Sequence, residues 1–551
     1  MYNLRISICC LFICILSILH QVHIIQLNSY NLDQQLLWYK KNYSSFVINI
    51  VLLFSAILNY EFNFILFYFV VIICLLGILI ENFPRKQKKK LVFTARIKRL
   101  IFICVLLHLL FFIPIIIDFN NIVNAKFAIY ATALSPLLIF IGYYISLPIE
   151  NGFRKKFMNE AKTIIDNSKD LYIVGITGSF GKTSVKFFLN SILSEKYRTC
   201  MTPESYNTPM GATLTIKNDL KSYDEIFICE MGARRVGDVK EICDIVSPNA
   251  GIITDVGAMH LDTFKTIENV AKCKTELAES IYKNNVHKKF RNFVLVNGDN
   301  PYIMNIIKKL DSKIDRNMEY APFYLTYGKN KENDFYYDNI EVNENGTSFD
   351  FCSKVVGGYN DKVESLTTRF ETKLLGEHNI MNLVAAIAMA DTLGVSENAD
   401  GLNDKNLSNI VKAVKNISPV EHRLFLSRID NNTLLIDDAF NSNPKGSKNA
   451  VEVLNSFKDY VKIIITPGMV ELGNKQNELN EEFGKESSAK VDYAFVVGNT
   501  NKESLMKGFS TKLGPDNCLH FAKFEEAFYY ARNNVDGKKV ILIENDLTDN
   551  Y

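Results

Sequence analysis

The stretch that decides the fold is Ile176-Thr177-Gly178-Ser179-Phe180-Gly181-Lys182-Thr183-Ser184. It follows the apolar run 171–174 and opens the amphipathic segment 185–193, which predicts the order strand, glycine loop, helix. Backbone N–H groups of such a loop and the positive end of the helix point at one spot, so the segment predicts a phosphate site. Lys182 adds a positive charge, and the Thr183 hydroxyl is placed to bind Mg²⁺. A nucleoside triphosphate is the expected ligand.

The spacing of this loop departs from the common form G-x-x-x-x-G-K-[ST]. Ile176 stands where the first glycine would be, and Gly178 supplies the turn instead. An incidental glycine-rich turn before a helix is the alternative interpretation. The strand that precedes the loop argues against that alternative.

Length and composition divide the chain into two unlike parts. The chain of 551 residues is too long for one domain. It is 48% hydrophobic, and its net charge of +2 shows no bias that would select nucleic acid. Residues 1–147 are dominated by Ile, Leu, Phe and Val, whereas the remainder has the composition of a soluble α/β protein. The apolar spans lie at about 4–26, 44–60, 63–80, 99–117 and 126–147. Most approach the roughly 20 residues that a membrane-crossing helix needs, so four or five transmembrane helices are predicted.

Basic residues around the spans predict the orientation of the chain. No small-residue cleavage site follows the first span, so we expect a retained helix and not a signal peptide. The cluster between the third and fourth spans comprises Arg85, Lys86, Lys88, Lys89, Lys90, Arg96, Lys98 and Arg99. A second cluster, Arg154-Lys155-Lys156, follows the fifth span. Two crossings separate the clusters, so both clusters and the soluble part are expected on the cytoplasmic side of the cell membrane. The basic residues could also contact anionic membrane lipid.

Cysteine usage indicates a reducing compartment. The eleven cysteines include no C-x-x-C pair. Several lie in apolar spans or in segments that look buried, as small core residues do. No zinc ribbon or disulfide framework is expected.

Short apolar strands follow the glycine loop, and each ends in a polar group. Strands are predicted at 225–229, 251–253 and 293–296, and they are separated by helical segments. This alternation predicts a largely parallel sheet, in which ligands bind beyond the carboxyl ends of the strands. Glu230, His260 and Asn297 are therefore expected near Lys182. Each of them alone would more simply be a solvated turn residue or an ordinary histidine.

A second α/β unit is predicted from about Pro419 onwards. Its strands are expected at 433–436, 461–465, 493–497 and 539–543, again alternating with helical stretches. Between the two units, Asn345-Gly346 and Gly357-Gly358 separate β-prone runs. Residues 332–374 are therefore predicted to form an antiparallel appendage of the first unit.

These motifs, taken in order, resemble the Mur ligase family, ATP-dependent enzymes that join an amino acid or peptide to a growing peptidoglycan precursor. The segments that carry the likeness are 177–183, Glu230-Met231-Gly232, His260-Leu261-Asp262, Lys274-Thr275-Glu276, Gly376-Glu377-His378-Asn379-Ile380-Met381-Asn382, Glu421-His422-Arg423 and Asp437-Asp438-Ala439-Phe440-Asn441-Ser442-Asn443-Pro444. Within the family, the likeness is closest to members that add a D-alanyl-D-alanine dipeptide. The likeness extends over roughly residues 170–500.

The resemblance implies a fold class and domain boundaries. The apolar spans predict an N-terminal multi-span α-helical membrane region over 1–150, and the resemblance implies that two α/β domains follow it. The first is a P-loop parallel-sheet ATPase domain over 151–417. The second is a Rossmann-like C-terminal domain over 418–551.

The resemblance also implies roles for individual residues. The implied nucleotide contacts are Thr177, Gly178, Ser179, Gly181, Lys182, Thr183, Ser184, Asn297, Asn379, Asn382, Arg423 and Asp438. The implied ligands of two Mg²⁺ ions are Thr183, Glu230, His260 and Lys274, with Lys274 carrying CO₂ as a carbamate. The implied catalytic residues are Lys182, Lys274, His260 and Arg423. The spacing Lys274-x-Glu276 selects Lys274 over its neighbour Lys272.

The chemistry that the resemblance implies meets a physical need. A carboxylate is a poor electrophile, so joining it to an amine requires activation, and phosphorylation by ATP supplies it. Anions are brought together in that step, so cations must surround them. The implied partners are a cell-wall precursor acceptor and an amino-acid or dipeptide amine, with D-alanyl-D-alanine as the leading candidate.

The sequence departs from the family pattern at three places. Apolar spans stand where family members carry a domain that grips a UDP-sugar, which suggests a lipid-linked acceptor or a simple anchor. Asn480 replaces a usual histidine that follows Pro467-Gly468-Met469-Val470-Glu471-Leu472-Gly473. Glu544-Asn545-Asp546-Leu547 replaces the family's Lys-Gly-Ser, which suggests altered amine specificity.

Three other functions were weighed. An ATP-driven transporter would combine membrane spans with a phosphate loop, but the spans carry almost no ionisable residues apart from His20 and His108. A poly-glutamate or folate-type glutamate ligase would share the ATP loop. A nucleotide-binding regulator without catalysis is disfavoured because the metal and phosphate residues are in place.

Overall fold

The computed structural model describes residues 2–545 except 29, 31, 58–63, 83–89, 118–121, 205, 258, 260, 285–290, 316–320, 344–345, 355–365, 396–406, 419–423, 440–443 and 471. The chain forms two compact units, Met1–Lys156 and Phe157–Tyr551. His260 and Arg423 lie outside the described residues, so their predicted roles stay predictions.

The first unit consists of helices. Its elements are α1 (Tyr2–Leu27), α2 (Leu32–Lys41), α3 (Val47–Ile57), α4 (Phe64–Asn82), α5 (Ala95–Ile117), α6 (Ile122–Ala133) and α7 (Ser135–Asn167). Two of them are long and apolar enough to cross a membrane, within Arg5–Leu27 and Ala95–Pro114. A third results if Lys126–Ala133 and Ser135–Asn167, bent by 64°, count as one span. The chain therefore has apolar N-terminal helices, and the number of four or five crossings stays a prediction.

Polar side chains inside this unit pair with one another. His108 contacts the Cys104 carbonyl oxygen at 2.7 Å and the Ser135 hydroxyl at 3.0 Å. The Arg99 guanidinium donates to both oxygens of Glu150, at 2.6 and 2.7 Å. This pairing is what a low-dielectric surrounding requires of polar groups.

The first sheet of the second unit is built around the glycine loop. Its strands are β1 (Tyr172–Thr177), β2 (Thr199–Met201), β3 (Ile226–Met231), β4 (Ala250–Ile253), β5 (Phe293–Asn297), β6 (Phe323–Gly328), β7 (Phe335–Asn343), β8 (Gly346–Ser353) and β9 (Leu366–Thr372). Among the described residues they pair in the order β2-β3-β1-β4-β5-β6-β7-β8-β9. Neighbours are parallel from β2 to β7, and β7, β8 and β9 pair antiparallel. The predicted parallel sheet with an antiparallel appendage is confirmed.

Helices cover both faces of this sheet. They are α8 (Lys182–Leu193), α9 (Pro209–Asn218), α10 (Asp238–Val246), α11 (Leu261–Phe264), α12 (Ile267–Lys283), α13 (Pro301–Asp311), α14 (Glu377–Thr392) and α15 (Ser408–Asn416). One apolar core joins the sheet to α8, α14 and α15, and the other joins it to α9, α10, α12 and α13. Every residue of β1 and β3 is buried, which explains why these strands appear as continuous apolar runs in the sequence.

The second sheet follows in the chain. Its strands are β10 (Phe425–Asp430), β11 (Thr433–Asp438), β12 (Val461–Thr466), β13 (Tyr493–Val497), β14 (Cys518–Phe521) and β15 (Lys539–Glu544). The helices are α16 (Pro444–Asn455), α17 (Gln476–Ser487), α18 (Lys502–Phe509) and α19 (Phe524–Asn533). The order is β10-β11-β15-β12-β13-β14, parallel except for the β10–β11 pair. The predicted α/β fold with parallel sheets is confirmed, and the domain boundaries stay predictions.

The last strand of the first sheet has charged residues at its edge. Exposed positions of β9 carry Arg369 and Glu371. Arg369 pairs with Asp350 at 3.2 Å, and Glu371 pairs with Lys415 at 3.0 Å.

Candidate functional site

A cavity of about 840 Å³ lies at the carboxyl ends of the parallel strands of the first sheet. Its volume falls in the range of small-molecule sites, roughly 300–1,000 Å³. Of the predicted site residues, it is lined by Ser179, Gly181, Lys182, Thr183, Ser184, Glu230, Asn297, Asn379, Asn382 and Asp438. The structure therefore brings together residues from five separate segments of the prediction at the sheet edge where ligands bind in this class of fold.

The glycine loop has the backbone that its glycines permit. Gly178 has φ 150° and Gly181 has φ 79°, a region that side chains rarely adopt. Strand β1 ends at Thr177 and helix α8 begins at Lys182. The positive end of α8 is therefore directed at the loop, as the sequence predicts.

The loop is fixed to the end of β4 by three hydrogen bonds. The Ser179 N–H donates to the Asp255 carbonyl oxygen at 2.6 Å, and the Thr254 hydroxyl donates to the Phe180 carbonyl oxygen at 2.5 Å. The Gly257 N–H donates to the Ser179 hydroxyl at 3.3 Å. The loop therefore holds its shape through contacts that motif spacing does not reveal.

Two predicted nucleotide contacts do not line the cavity. The Thr177 side chain is completely buried, and its hydroxyl donates to the Met231 carbonyl oxygen at 2.8 Å. Gly178 packs against Thr254 and Asp255, where an added Cβ would lie 1.9 Å from the Thr254 hydroxyl oxygen. Both residues shape the loop, because the strand end and the turn depend on them. Direct nucleotide contact by either would have to come from the backbone.

Glu230 is the centre of the polar cluster beside the loop. Its Oε1 accepts hydrogen bonds from the Thr183 hydroxyl at 3.1 Å and from the Asn207 amide at 3.3 Å. Its Oε2 lies 3.1 Å from Lys186 Nζ and accepts no hydrogen bond from any described residue. The carboxylate is 1% exposed. A buried carboxylate whose Oε1 lies next to a hydroxyl on the cavity side suits a hard cation such as Mg²⁺.

Sequence reasoning missed two members of this cluster. Lys186 is one turn beyond Lys182 on α8, where a lysine normally predicts a solvated side chain, yet it is completely buried. Asn207 lies on a loop before α9 with no motif to identify it. The available signal for Lys186 was its spacing of four residues from Lys182 on one helix face. Among the described residues, there is no cluster of three or more His, Cys, Asp or Glu that could hold a metal ion.

Lys274 is buried in α12, and its neighbour Lys272 is exposed. Burial lowers the pKa of the Lys274 ammonium, while negative charge on Asp238, Glu276 and Glu230 raises it. Lys274 is not among the lining residues, although the charge of Glu230 acts on it. Lys274 is therefore the buried one of the two lysines, and its role as a metal ligand and catalytic residue stays a prediction.

Glu276 anchors α10 beside this lysine. It accepts hydrogen bonds from the Gly237 N–H at 2.7 Å and the Lys240 N–H at 2.9 Å. Burial raises the pKa of this carboxyl, and the two backbone hydrogen bonds lower it. Its bonds are to the first turn of α10, so its role is to hold that helix end beside Lys274.

The far end of the cavity is formed by amides and tyrosines. The Asn297 side-chain oxygen accepts from the Asp299 N–H at 3.0 Å, and the Asn379 amide donates to the Leu375 carbonyl oxygen at 2.9 Å. Asn382 packs on the loop, since a Cβ at Gly181 would lie 2.3 Å from its Oδ1. Tyr327 and Tyr337 complete the wall, and burial raises the pKa of each phenol. Both phenols are therefore neutral and able to donate hydrogen bonds.

Residues of the second α/β region also reach the cavity. Asp438, Pro444, Gly446 and Asn449 line it, at the end of β11 and the start of α16. The Asp438 carboxylate accepts from the Leu424 N–H at 3.2 Å. The cavity is therefore lined from both α/β regions.

Glu544 and Asn480, which belong to the two departures in the second region, are buried. Both oxygens of Glu544 accept hydrogen bonds at 2.5 Å, from the Ser447 and Thr466 hydroxyls. Asn480 bonds both the N–H and the carbonyl oxygen of Met469, at 2.8 and 2.9 Å. These side chains brace the loops at the sheet edge, and the effect of Glu544 on amine choice stays a prediction.

Comparison with known proteins agrees with this geometry. The family model of the Mur ligase middle domain matches residues 176–390, and that of the Mur ligase glutamate ligase domain matches residues 422–544. A UDP-N-acetylmuramoyl-tripeptide–D-alanyl-D-alanine ligase of Bacillus subtilis is 25% identical over 68% of this chain and 72% of its own. The Escherichia coli protein of the same name is 28% identical over 59% and 64%.

Solved structures show the same fold. A MurF ligase from Thermotoga maritima in complex with ADP has a TM-score of 0.57 and 24% identity, covering 71% of this chain and 80% of its own. MurF from Acinetobacter baumannii has a TM-score of 0.58 and 21% identity, covering 71% and 77%. The two family models together match more than half of the residues, and they match the two α/β regions in chain order. This chain belongs to the Mur ligase family.

Proposed function

We propose that this chain is an ATP-dependent ligase of peptidoglycan precursor synthesis that adds D-alanyl-D-alanine to a UDP-N-acetylmuramoyl-tripeptide or a related acceptor. The observation that carries the proposal is the Thr183–Glu230 contact of 3.1 Å at the end of the glycine loop, inside a cavity of about 840 Å³. The names of the Bacillus subtilis and Escherichia coli relatives support this choice of acceptor and amine.

The reaction proceeds in two displacements. An acceptor carboxylate oxygen attacks the γ-phosphorus of ATP, and the bond from that phosphorus to the bridging oxygen breaks, so ADP leaves. The amine nitrogen then attacks the acyl carbon, the bond to the phosphate oxygen breaks, and the nitrogen loses a proton. Phosphate and an amide are the products.

The described residues hold the charged groups of this reaction. Backbone N–H groups of the glycine loop and the start of α8 bind phosphate oxygens. Lys182 adds a cation at the same place, and its Nζ at present donates to the Ser179 carbonyl oxygen at 3.1 Å. Thr183 and Glu230 would hold Mg²⁺, which supplies positive charge against the phosphates.

The remaining predicted site residues have proposed roles as well. Asn382 would contact the adenine base and Asp438 the ribose, and Asn297 and Asn379 would also contact the nucleotide. Arg423 would bind the γ-phosphate. His260 and a carbamate on Lys274 would hold a second Mg²⁺, which would supply further positive charge. Burial of Lys274 supports the carbamate, because only a neutral amine reacts with CO₂ and burial favours the neutral form.

The apolar N-terminal region supports a membrane location for the protein. We infer a multi-pass protein of the cell membrane with four or five crossings over residues 1–150 and the domains 151–417 and 418–551 in the cytoplasm. The helices that are apolar and long enough to cross support this arrangement. A lipid-linked acceptor, held by membrane lipid, is the alternative substrate that this location favours.

Activity in membranes tests the proposal. Membranes containing the full chain are incubated with ATP, Mg²⁺, D-alanyl-D-alanine and either a UDP-linked or a lipid-linked tripeptide acceptor, and phosphate release and product mass are measured. Acceptor-dependent phosphate release with a product of the expected mass is the predicted result. Lys182→Ala should abolish both, and unchanged turnover in that variant would reject the ATP site.

The carbamate has its own test. Lys274→Ala should lose activity, and the wild-type chain should lose activity in buffer stripped of CO₂ and recover it when bicarbonate is returned. Full activity of Lys274→Ala would show that the carbamate is not needed.

A further inference from the structure

A buried lysine that the proposed reaction does not use contacts the metal-binding carboxylate. Lys186 lies on α8 and is completely buried, with Nζ 3.1 Å from Glu230 Oε2. The same ammonium donates a hydrogen bond to the Glu204 carbonyl oxygen. We propose that Lys186 is a positioning residue that locks Glu230 and the loop 202–208 together, so that both are set for one metal–phosphate group. This inference rests on the proposed function, because it assigns a role within the same site.

The two oxygens of Glu230 have different neighbours. Oε1 accepts from Thr183 and Asn207, on the side of the cavity. Oε2 faces Lys186, which does not line the cavity. A glutamate carboxylate turns readily about its last torsion. The charge of Lys186 on one oxygen therefore fixes the orientation of the other toward Thr183.

The loop 202–208 depends on the same ammonium. Glu204 has φ 40°, a left-handed conformation that is strained for a residue with a side chain. Its carbonyl oxygen accepts from Lys186, and three residues later Asn207 reaches Glu230. The Asn207 carbonyl oxygen accepts from the Gly232 N–H at 2.7 Å. Lys186 thus holds one end of a segment whose other end is tied to the end of β3.

The complete burial of a lysine at position 186 requires a physical explanation. Full burial of an ammonium is unfavourable unless it is paired, and an apolar side chain of equal volume would pack as well. The pairing partner is the one carboxylate that the proposed reaction assigns to Mg²⁺. A purely structural ion pair would contribute to folding and leave metal affinity to Glu230 alone, so metal binding separates the two roles.

The experiment is a double-mutant cycle on metal binding by the full chain in detergent. The probe is Mn²⁺ with a β,γ-methylene analogue of ATP, and bound Mn²⁺ is measured by electron paramagnetic resonance. The variants are Lys186→Met, Glu230→Gln and the two combined. We expect a loss of affinity of about tenfold or more for each single variant and no further loss in the combined one, because coupled residues act as a unit. The inference would be overturned if the combined variant lost affinity by the product of the two single losses, or if Lys186→Met bound Mn²⁺ with wild-type affinity.

The combined variant and one control variant make the outcome decisive. Lys186→Met leaves a buried carboxylate without its cation, so it can fail to fold, whereas the combined variant removes both charges. If Lys186→Met does not fold, affinity of the combined variant equal to that of Glu230→Gln supports the inference, and affinity weaker by a further tenfold overturns it. Lys196→Met is the matched control, since Lys196 also donates to a backbone carbonyl oxygen, that of Gly394, and should bind Mn²⁺ as the wild type does. Failure of the wild type to bind Mn²⁺ with nucleotide would reject the proposed function itself.

Discussion

Two buried lysines interact with the cavity residue Glu230. They are Lys186 and Lys274, and the charge of Glu230 acts on each. Lysine is normally exposed, so two buried lysines near one carboxylate indicate a site with a chemical purpose. The charge state of Lys274 makes stability depend on pH.

Lys274→Met should change the pH dependence of stability. The folded-state pKa of Lys274 is lowered from 10.5, so between the lowered value and 10.5 the unfolded chain binds more protons and the wild type gains stability as pH rises. The variant lacks this penalty, so its stability relative to the wild type should be greatest below the lowered pKa and decline as pH rises toward 10.5. Thermal unfolding in CO₂-free buffers at several pH values measures this. Lys272→Met is the exposed control, and a difference between variant and wild type that is constant with pH would contradict the prediction.

Gly181→Ala should weaken nucleotide binding. The residue has φ 79°, and an added Cβ would meet Asn382 Oδ1 at 2.3 Å. A left-handed residue with a side chain costs roughly 1–2 kcal/mol, which corresponds to about a tenfold loss of affinity. Equilibrium binding of an ATP analogue measures the loss. Gly514→Ala, where an added Cβ meets nothing within 4 Å, should bind as the wild type does.

Residue types that carry a motif were predictable, and residues placed by packing were not. Lys182 and Thr183 follow from the glycine loop, and Glu230 follows from its position at a strand end. Lys186 looks in the sequence like a solvated helix residue, and only the tertiary structure buries it. Thr177 belongs to the motif, yet its hydroxyl donates a hydrogen bond to the Met231 carbonyl oxygen. The alternation of side chains along the strand points this hydroxyl into the sheet.

At the scale of elements, a buried glutamate joins three parts of the second sheet region. Glu544 at the end of β15 accepts from Ser447 on α16 and from Thr466 at the end of β12. The sequence shows an acidic replacement near the expected amine site. It does not show that the carboxylate is 1% exposed, because burial at a strand end depends on which loops fold over it.

Glu544→Ala should destabilise the second sheet region. The change leaves two buried hydroxyls without an acceptor, at a cost of roughly 1–3 kcal/mol. A lower midpoint of thermal unfolding is expected. Glu503→Ala, at an exposed position of α18, is the control and should change the midpoint far less. Equal midpoints for the two variants would show that the Glu544 contacts do not stabilise the fold.

At the scale of the whole molecule, the chain separates into a helical unit and an α/β unit. The α/β unit has its own apolar cores on both faces of the first sheet and around the second. The composition change near residue 147 indicated this division in the sequence. The number of crossings stays a prediction.

Residues 157–551 expressed alone should fold and bind nucleotide with the affinity of the full chain, because all described cavity residues lie in this segment. Cooperative thermal unfolding and binding of an ATP analogue measure this. Turnover with a UDP-linked acceptor should persist, and turnover with a lipid-linked acceptor in vesicles should fall. Normal rates on the vesicle-bound acceptor would show that the helices are not needed to capture it.

The charged outer strand of the first sheet has a consequence for crowding. Strand edges recruit other strands unless charge or brevity prevents it. β9 is the outermost strand among the described residues, and its exposed Arg369 and Glu371 pair with Asp350 and Lys415. A copy that paired with this strand would have to dehydrate these charged side chains. Molecules crowded in a membrane should therefore remain separate and not polymerise through strand β9.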